Sequence, residues 1–478
     1  MDDGRSGRRT TGERMIDRRS SIIRRLTPAL HGVVFVALFV WAFAIFDAAR
    51  LRVAFHGDES LKIATGRYFG YFFLDRDFDH PAWQRSHDTL TQPPGFRYIV
   101  GAGLWLQGHR LEALNQPFNW SDPEGQNRRE GRVPSSTVLM DARRVAVLFS
   151  AGAVALLYVV GVQLGAPLAG VAAALLVGAS PYLREHFTRA LAESPLVFFM
   201  LAALALSLWI FRRRPPRFGV TSAVVMGLIL GLGTMTKLTA VLSAPALGAA
   251  CLGAALAARL RGDHRGWWRP LTWGAAATLL GWALFVALNP FLWPAPARRT
   301  GDLFRYRQFE IDRQMRNHPN VAVRDLGDRV TLILDRALVR RTWASTTLHV
   351  PVDVALAAIG LGALLLLSWR DWRQRGLIGP AAVVIVWLLA YLVGMTWGYG
   401  YDQARYIAPI FLLATLLSGV GAEALLRSSI TVWRLAPEVV SRYIRRAPDS
   451  EATPPHAQPI RAPHPRYHGG RSDAWNNC

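Results

Sequence analysis

The chain has 478 residues, 51% of them hydrophobic and 17 of them Trp, and its 55 Lys and Arg against 33 Asp and Glu give a formal charge of +22. In a soluble protein such a charge would point to nucleic acid. Here the apolar residues fall in long unbroken runs that read as membrane spans, and arginines crowd the segments between them, so a nucleic-acid partner is set aside. Two cysteines, Cys251 in an apolar run and Cys478 at the end, form no disulfide framework, and no Cys-x-x-Cys or His-Glu-x-x-His zinc pattern occurs.

Residues 1–28 are polar and carry eight arginines ahead of the first apolar run. With many spans to follow, this reads as a basic cytoplasmic tail and an uncleaved signal-anchor. The first span is expected from Pro28 to Phe46. A hydrophilic segment, 47–143, follows, with two apolar pieces at 68–74 and 98–106 that are too short to cross a bilayer and read as interfacial helices. Further spans are expected near 145–164, 166–180, 194–211, 219–235, 238–258, 270–288, 351–368, 377–397 and 406–426, making about ten in an all-α integral membrane protein. The second long polar segment, 291–350, starts at the Asn289-Pro290-Phe291-Leu292-Trp293-Pro294 turn and continues as a charged helix from Asp302 to Arg316. From 427 to 478 the chain is rich in Pro, Arg and His and reads as a cytoplasmic tail, largely disordered beyond Pro437.

Orientation follows from the arginines. With the N-terminus inside, the short inner loops 212–218, 259–269 and 370–375 hold four, four and three arginines. The short outer connections 181–193, 236–237 and 398–405 hold two, one and one Arg or Lys. That asymmetry is the positive-inside pattern, and it turns 47–143 and 291–350 outward.

The polar residues then gather at the outer surface. Asp58 and Glu59 follow the first span in Phe55-His56-Gly57-Asp58-Glu59-Ser60. A carboxylate at that depth suits a general base that meets a water-borne hydroxyl beside a lipid-borne reagent. The competing assignment makes Asp58 the N-cap of a helix beginning at Glu59. Glu193 opens a span just before Pro195, as a helix-entry acid or as a second carboxylate that positions a sugar hydroxyl or orients a lysine. Lys237, one of only two lysines, interrupts an apolar stretch from Val220 to Leu256. It is either a snorkelling amine at a hairpin turn or a point charge for a phosphate. Arg405, at the start of the last span, is an interfacial anchor or the partner of Lys237 in a phosphate clamp. Arg189 and Tyr406 stand beside them as further candidates for donor contact.

These stretches together resemble a known family. The outward acid pair is followed by Thr91-Gln92-Pro93-Pro94, by Arg189 to Leu196 opening a span, by Gly231-Leu232-Gly233-Thr234-Met235-Thr236-Lys237, by the Asn289–Pro294 turn and by Arg405-Tyr406-Ile407-Ala408-Pro409. Their order and sidedness over residues 30 to 426 resemble the lipid-carrier-dependent glycosyltransferases of the GT-C fold, in the bacterial branch similar to protein O-mannosyltransferases and aminoarabinose transferases. The resemblance implies a GT-C bundle over 29–426 and a polyprenyl-phosphate-linked sugar as donor. It implies Asp58 as general base with Glu59 in support, and Lys237 and Arg405 near the lipid phosphate. Transfer would be inverting, to a lipid, glycan or protein acceptor on the extracytoplasmic side of a bacterial cytoplasmic membrane. The sequence requires no cofactor; a divalent metal ion is an optional aid to the departing phosphate. Many relatives have His where Gln92 stands and Asp where Glu193 stands, so those two roles do not carry over. A transporter or flippase, or a polymerase or ligase of lipid-linked glycans, is the alternative. Charges near the bilayer midplane expected of a transporter are nearly absent from the spans.

Overall fold

The computed structural model describes the backbone of residues 11–446, apart from 214, 215, 217 and 401, with side chains described within 28–429. The described residues are helical or irregular, with no strand among them. In chain order, α1 (Thr11–Arg50) leads to a short helix α2 (Gly57–Ala64), then α3 (His87–Thr91), α4 (Gly95–Leu106), α5 (Ser136–Leu164), α6 (Pro167–Ala179) and α7 (Pro181–Thr188). There follow α8 (Glu193–Arg212), α9 (Val220–Thr236), α10 (Ser243–Leu260), α11 (Arg269–Ala287), α12 (Pro296–Asn317), α13 (Leu326–Leu334), α14 (Val352–Arg375), α15 (Pro380–Gly398) and α16 (Ala408–Arg446).

Among the described residues, eight helices are long and apolar enough to cross a membrane, and α9, of 17 residues, is a shorter apolar helix. The remaining expected span, α6, is only 13 residues long and meets α7 at a bend of 73°. The break has a local cause. Pro181 has no N–H to extend α6, and Ser180 caps a new helix by accepting from Leu183 N at 3.4 Å. The segment 181–193, expected as a plain connection, is therefore mostly helix. All ten expected spans thus coincide with apolar helices, while the sixth and ninth helices depart from full bilayer length. At the far end, the backbone helix of α16 continues past Pro437 to Arg446. Residues 447–478, to which most of the expected disorder was assigned, lie outside the described set, as do Arg214 and Arg217 of the inner-loop count.

Small residues let the spans approach. A Cβ on Gly231 of α9 would lie 2.7 Å from the Gly281 carbonyl of α11, so only glycine permits that crossing. Alternation of the helix ends is visible in the hydrogen bonds between them. At one end Arg143 of α5 donates to the Arg50 carbonyl at the end of α1 and to Val53 O just beyond it, Tyr98 donates to Leu288 O after α11, and Asp402 N donates to Val321 O. At the other end Arg212 donates to Val162 O, Arg427 to Gly165 O and Arg261 to the Gly376 carbonyl. Among the described residues these bonds keep the two sets of helix ends apart, as strict alternation requires.

The first long polar segment folds onto the first of these ends. Ile63 of α2 packs with Phe96, Val100 and Leu104 of α4 and with Leu139 and Ala142 of α5. A second cluster joins Tyr68, Trp83 and Tyr98 to Met235, Phe285, Phe291 and Leu303, so both polar segments and the ends of α9 and α11 share one apolar seam. The short apolar pieces read from the sequence are those helices, Gly95–Leu106 and the turns over 67–74.

Candidate active site

The α2 helix begins two residues earlier than the Asp58-cap assignment requires. His56 is the N-cap: its Nδ1 accepts from Asp58 N at 3.2 Å, while Glu59 Oε2 accepts from His56 N at 3.1 Å. Asp58 is left with its carboxylate free of capping duty. Gly57 allows this tight start, because a Cβ there would stand 2.9 Å from the rings of Phe118 and Trp120.

The Asp58 carboxylate meets Arg405 Nη2 at 2.6 Å. Arg405 lies in a single 3-10 turn, Ala404–Ile407, between α15 and α16. That connection is tied down by Tyr399, which donates to Asp402 at 2.9 Å, by an Arg336–Asp402 ion pair and by a hydrogen bond from Tyr182 to the Ala404 carbonyl. Arg405 Nε lies 3.7 Å from Glu193 Oε1, and Lys237 Nζ meets the same oxygen at 2.8 Å. Glu193 stands in the first turn of α8, where the helix dipole favours a carboxylate. Lys237 sits in extended backbone (φ −160°, ψ 133°) between α9 and the 3-10 turn Leu238–Leu242, so the break in the apolar stretch directs its side chain inward. Its ammonium lies 4.5 Å from the centre of the Tyr406 ring, which also faces Arg405 at 5.3 Å and Arg307 of α12 at 5.6 Å. Lys237 is thus neither a snorkelling amine nor on a lipid-facing surface.

These groups line one cleft at the end of the bundle, enclosing about 1100 Å³ with the open solvent at its mouth included. Asp58, Glu193, Lys237, Arg405 and Tyr406 all lie on its wall, from four separate connections. Lys62, Gln92 and Arg307 join them, giving four cations against two carboxylates. The rest of the lining is largely apolar, with Leu196 of α8, Val241 and Leu242 before α10, and Met395 of α15. Burial pushes the Asp58 carboxyl up, but the Arg405 guanidinium and His56 more than offset it, so its pKa is lowered and it is ionised at neutral pH.

Two expected site residues are elsewhere. Glu59 is fully buried and faces away from the cleft, with both oxygens committed to Arg143 at 2.8 and 2.7 Å; one also accepts from Ala190 N at 2.9 Å. It is a positioning residue for α2, since a carboxylate two oxygens deep in a guanidinium has no reach to a substrate. Arg189, just past the end of α7, pairs back onto Glu185 of that helix at 3.0 Å and is not among the residues that line the cleft. Lys62 was missed. Its spacing from Asp58, four residues along one helix face, is the signal that would have found it. Arg307 carried no such signal among the many arginines of α12. Among the described residues there is no group of three or more His, Cys, Asp or Glu placed to hold a metal ion.

The sequence profile of the dolichyl-phosphate-mannose-protein mannosyltransferases matches residues 83–287. No curated protein sequence matches the chain. Among solved structures, the apo oligosaccharyltransferase of Archaeoglobus fulgidus superposes with a TM-score of 0.50 at 12% identity, over 85% of this chain and 52% of that one. The archaeal oligosaccharyltransferase AglB from the same organism, in complex with an inhibitory peptide and a dolichol-phosphate, gives 0.49 at 12% identity over 88% and 52%. ArnT from Cupriavidus metallidurans, bound to undecaprenyl phosphate, gives 0.45 at 16% identity over 81% and 59%. The chain spans between half and three-fifths of the length of these structures. The profile match and the superposition agree with the resemblance read from the sequence motifs, and the fold is of the GT-C type.

Proposed function

We propose that this GT-C-fold membrane protein, with its mannosyltransferase-type segment, moves a sugar from a polyprenyl-phosphate carrier to an acceptor hydroxyl. The observation that carries the reading is a single cleft whose lining combines apolar side chains with an ionised carboxylate beside a Lys–Arg pair. An isoprenoid chain suits the apolar part of that lining and a phosphate the Lys–Arg pair. Carrier-bound relatives of the same fold and the profile match support this assignment.

The chemistry follows from the leaving group. Polyprenyl phosphate departs as an anion and needs no proton, so the site must supply a base and positive charge. Asp58 takes the proton from the acceptor hydroxyl as its oxygen bonds to the anomeric carbon. The bond from that carbon to the phosphate oxygen breaks, and the electron pair leaves with the phosphate, held by Lys237 and Arg405. One in-line displacement inverts the sugar carbon. Glu193 orients both cations, and Tyr406 offers its ring face to them. Because Arg405 bridges Asp58 and Glu193, an arriving phosphate draws the guanidinium toward itself and loosens its hold on the base. A divalent ion does not fit this donor set: both carboxylates already face cations, and no step requires one. A transporter would hold its charges at mid-bundle, whereas these sit at the helix ends.

Incubating the purified full-length protein with radiolabelled polyprenyl-phosphate sugars tests the reading, with label leaving the lipid for an acceptor or for water. A panel in which no carrier loses label, alongside label that crosses a vesicle wall intact, would sink it in favour of a flippase. Lys237→Met should weaken polyprenyl-phosphate binding by about 10–100-fold, the worth of one charged hydrogen bond. Unchanged affinity in a binding titration would remove the lysine from the phosphate site.

The arginine asymmetry supports a cleft on the extracytoplasmic side, and the resemblance to the bacterial branch of the family supports the cytoplasmic membrane as its place. In a background lacking Cys478, cysteines at exposed Ser121 and Arg265 should react from opposite sides with an impermeant thiol reagent, Ser121 from outside. Reaction of both from one side would end the topology.

A further inference from the structure

The displacement described above leaves two basic residues of the cleft unused, Arg307 and Lys62, and Lys62 is the buried one. Lys62 lies one turn beyond Asp58 on the same face of α2, lines the cleft, and is only 3% exposed. Its ammonium has three protons to donate and makes one hydrogen bond, to Gln92 Oε1 of the Gln92-Pro93-Pro94 turn. Among the described residues it forms no ion pair with a carboxylate. Lys237 and Arg405, by contrast, both lie against Glu193, and Arg405 holds Asp58 as well. A buried ammonium with two unspent donors is costly unless an anion meets it.

We infer that Lys62 is an anion contact of the cleft that receives a phosphate oxygen of the lipid-linked donor and takes up a proton as it does so. The inference rests on the donor class proposed above and adds to it a residue and a proton. The groups facing the amine explain the second part. Burial is the main effect, and with the repulsion of Arg97 of α4 it lowers the Lys62 pKa to about 7. Asp58 on its own helix, Asp88 of α3 and Glu193 of α8 favour the charged form and offset this only in part. At neutral pH the free cleft therefore holds a large share of neutral amine. A phosphate oxygen within reach favours the charged form, so the proton is drawn from solvent when the donor binds. By linkage, donor affinity falls as pH rises above neutrality, since binding then needs a scarcer proton.

Calorimetric titration of the full-length protein with polyprenyl phosphate in micelles tests this. Two buffers of unlike ionisation enthalpy, both at pH 8, report the protons exchanged. The phosphate monoester is already a dianion there. About 0.9 proton should be taken up per carrier bound, the neutral fraction of an amine with that pKa. Lys62→Arg should keep the affinity and abolish the uptake, because a guanidinium is always charged. Lys62→Met should lose both, binding at least about tenfold more weakly. Zero uptake by the unsubstituted protein, or full affinity in Lys62→Met, would overturn the inference and leave the amine as a bracket for Gln92. Full affinity together with a raised acceptor KM would move Lys62 to the acceptor, which also overturns it. Absence of any carrier binding by the unsubstituted protein would instead refute the proposed function itself.

Discussion

Asp58→Asn should lower kcat by about 10²–10⁴, the usual worth of a positioned general base, while polyprenyl-phosphate binding survives. The amide keeps the size of the carboxylate but cannot take a proton. Helix capping does not confound the result, because His56 performs it and Asp58 contributes only its backbone N–H there. The substitution also frees Arg405 from its 2.6 Å partner, leaving Glu193 as its remaining carboxylate. Donor affinity should then hold or rise, since the guanidinium no longer has to be shared. A parallel loss of donor affinity and turnover would instead make Asp58 a prop for Arg405. The acid limb of kcat/KM offers a second check. With the Asp58 pKa lowered by Arg405 and His56, activity should persist to a pH below the ordinary carboxylate range before protonation of the base removes it. Turnover near that of the unsubstituted protein would pass the base to Glu193, the other carboxylate of the cleft.

Glu59→Gln should act on stability, costing about 3–5 kcal/mol by leaving the Arg143 guanidinium buried without its counter-charge. The pair is enclosed, with side-chain exposures of 1% and 0%, so water cannot replace the lost partner. Arg143 also donates to the Arg50, Val53 and Ala54 carbonyls, and Glu59 accepts from Ala190 N. One ion pair therefore joins the exit of α1, the entry of α2, the start of α5 and the turn before α8. Thermal unfolding in detergent should show a large drop in midpoint for the single variant. Glu59→Leu combined with Arg143→Met should recover much of it, since removing both charges is far milder than removing one. A single variant within about 0.5 kcal/mol of the parent would show the pair to be solvated, against its geometry.

The sequence made the spans legible because a bilayer imposes its own length on apolar runs, and those runs reappear as helices within a few residues. It showed less where the chain breaks its own pattern. Ser180-Pro181 ends α6 early and starts α7, a helix the sequence reading lacks, and Arg189 at its end pairs back onto Glu185 instead of lining the cleft. The acid pair was recognised as a unit, yet its members do different things. Neighbours on a helix point about 100° apart, so when Asp58 faces the cleft Glu59 must face the protein. The partner that settles this, Arg143, is 84 residues away and carried no local mark. Lys237 and Arg405 were legible as anomalies, a charge within or against apolar sequence. Lys62 was hidden among polar neighbours, because a buried amine in a hydrophilic segment looks like any surface lysine.

The joining of Asp58 to Arg405 has a bearing on biosynthesis. Asp58 belongs to the first turn after the first span, and Arg405 to the approach to the last, so nearly the whole chain must leave the ribosome before the two can meet. Every earlier stage has Asp58 without its guanidinium, and Glu193, once made, with no more than Lys237 beside it. Entropy sets little obstacle to so late a meeting, since the cost of closing a loop grows only with the logarithm of its length. The consequence is temporal: a nascent or prematurely ended chain can already be threaded through the membrane and still have no working pocket. Synthesis of the turn that carries Arg405, and of the span that seats it, is the event that completes the cleft.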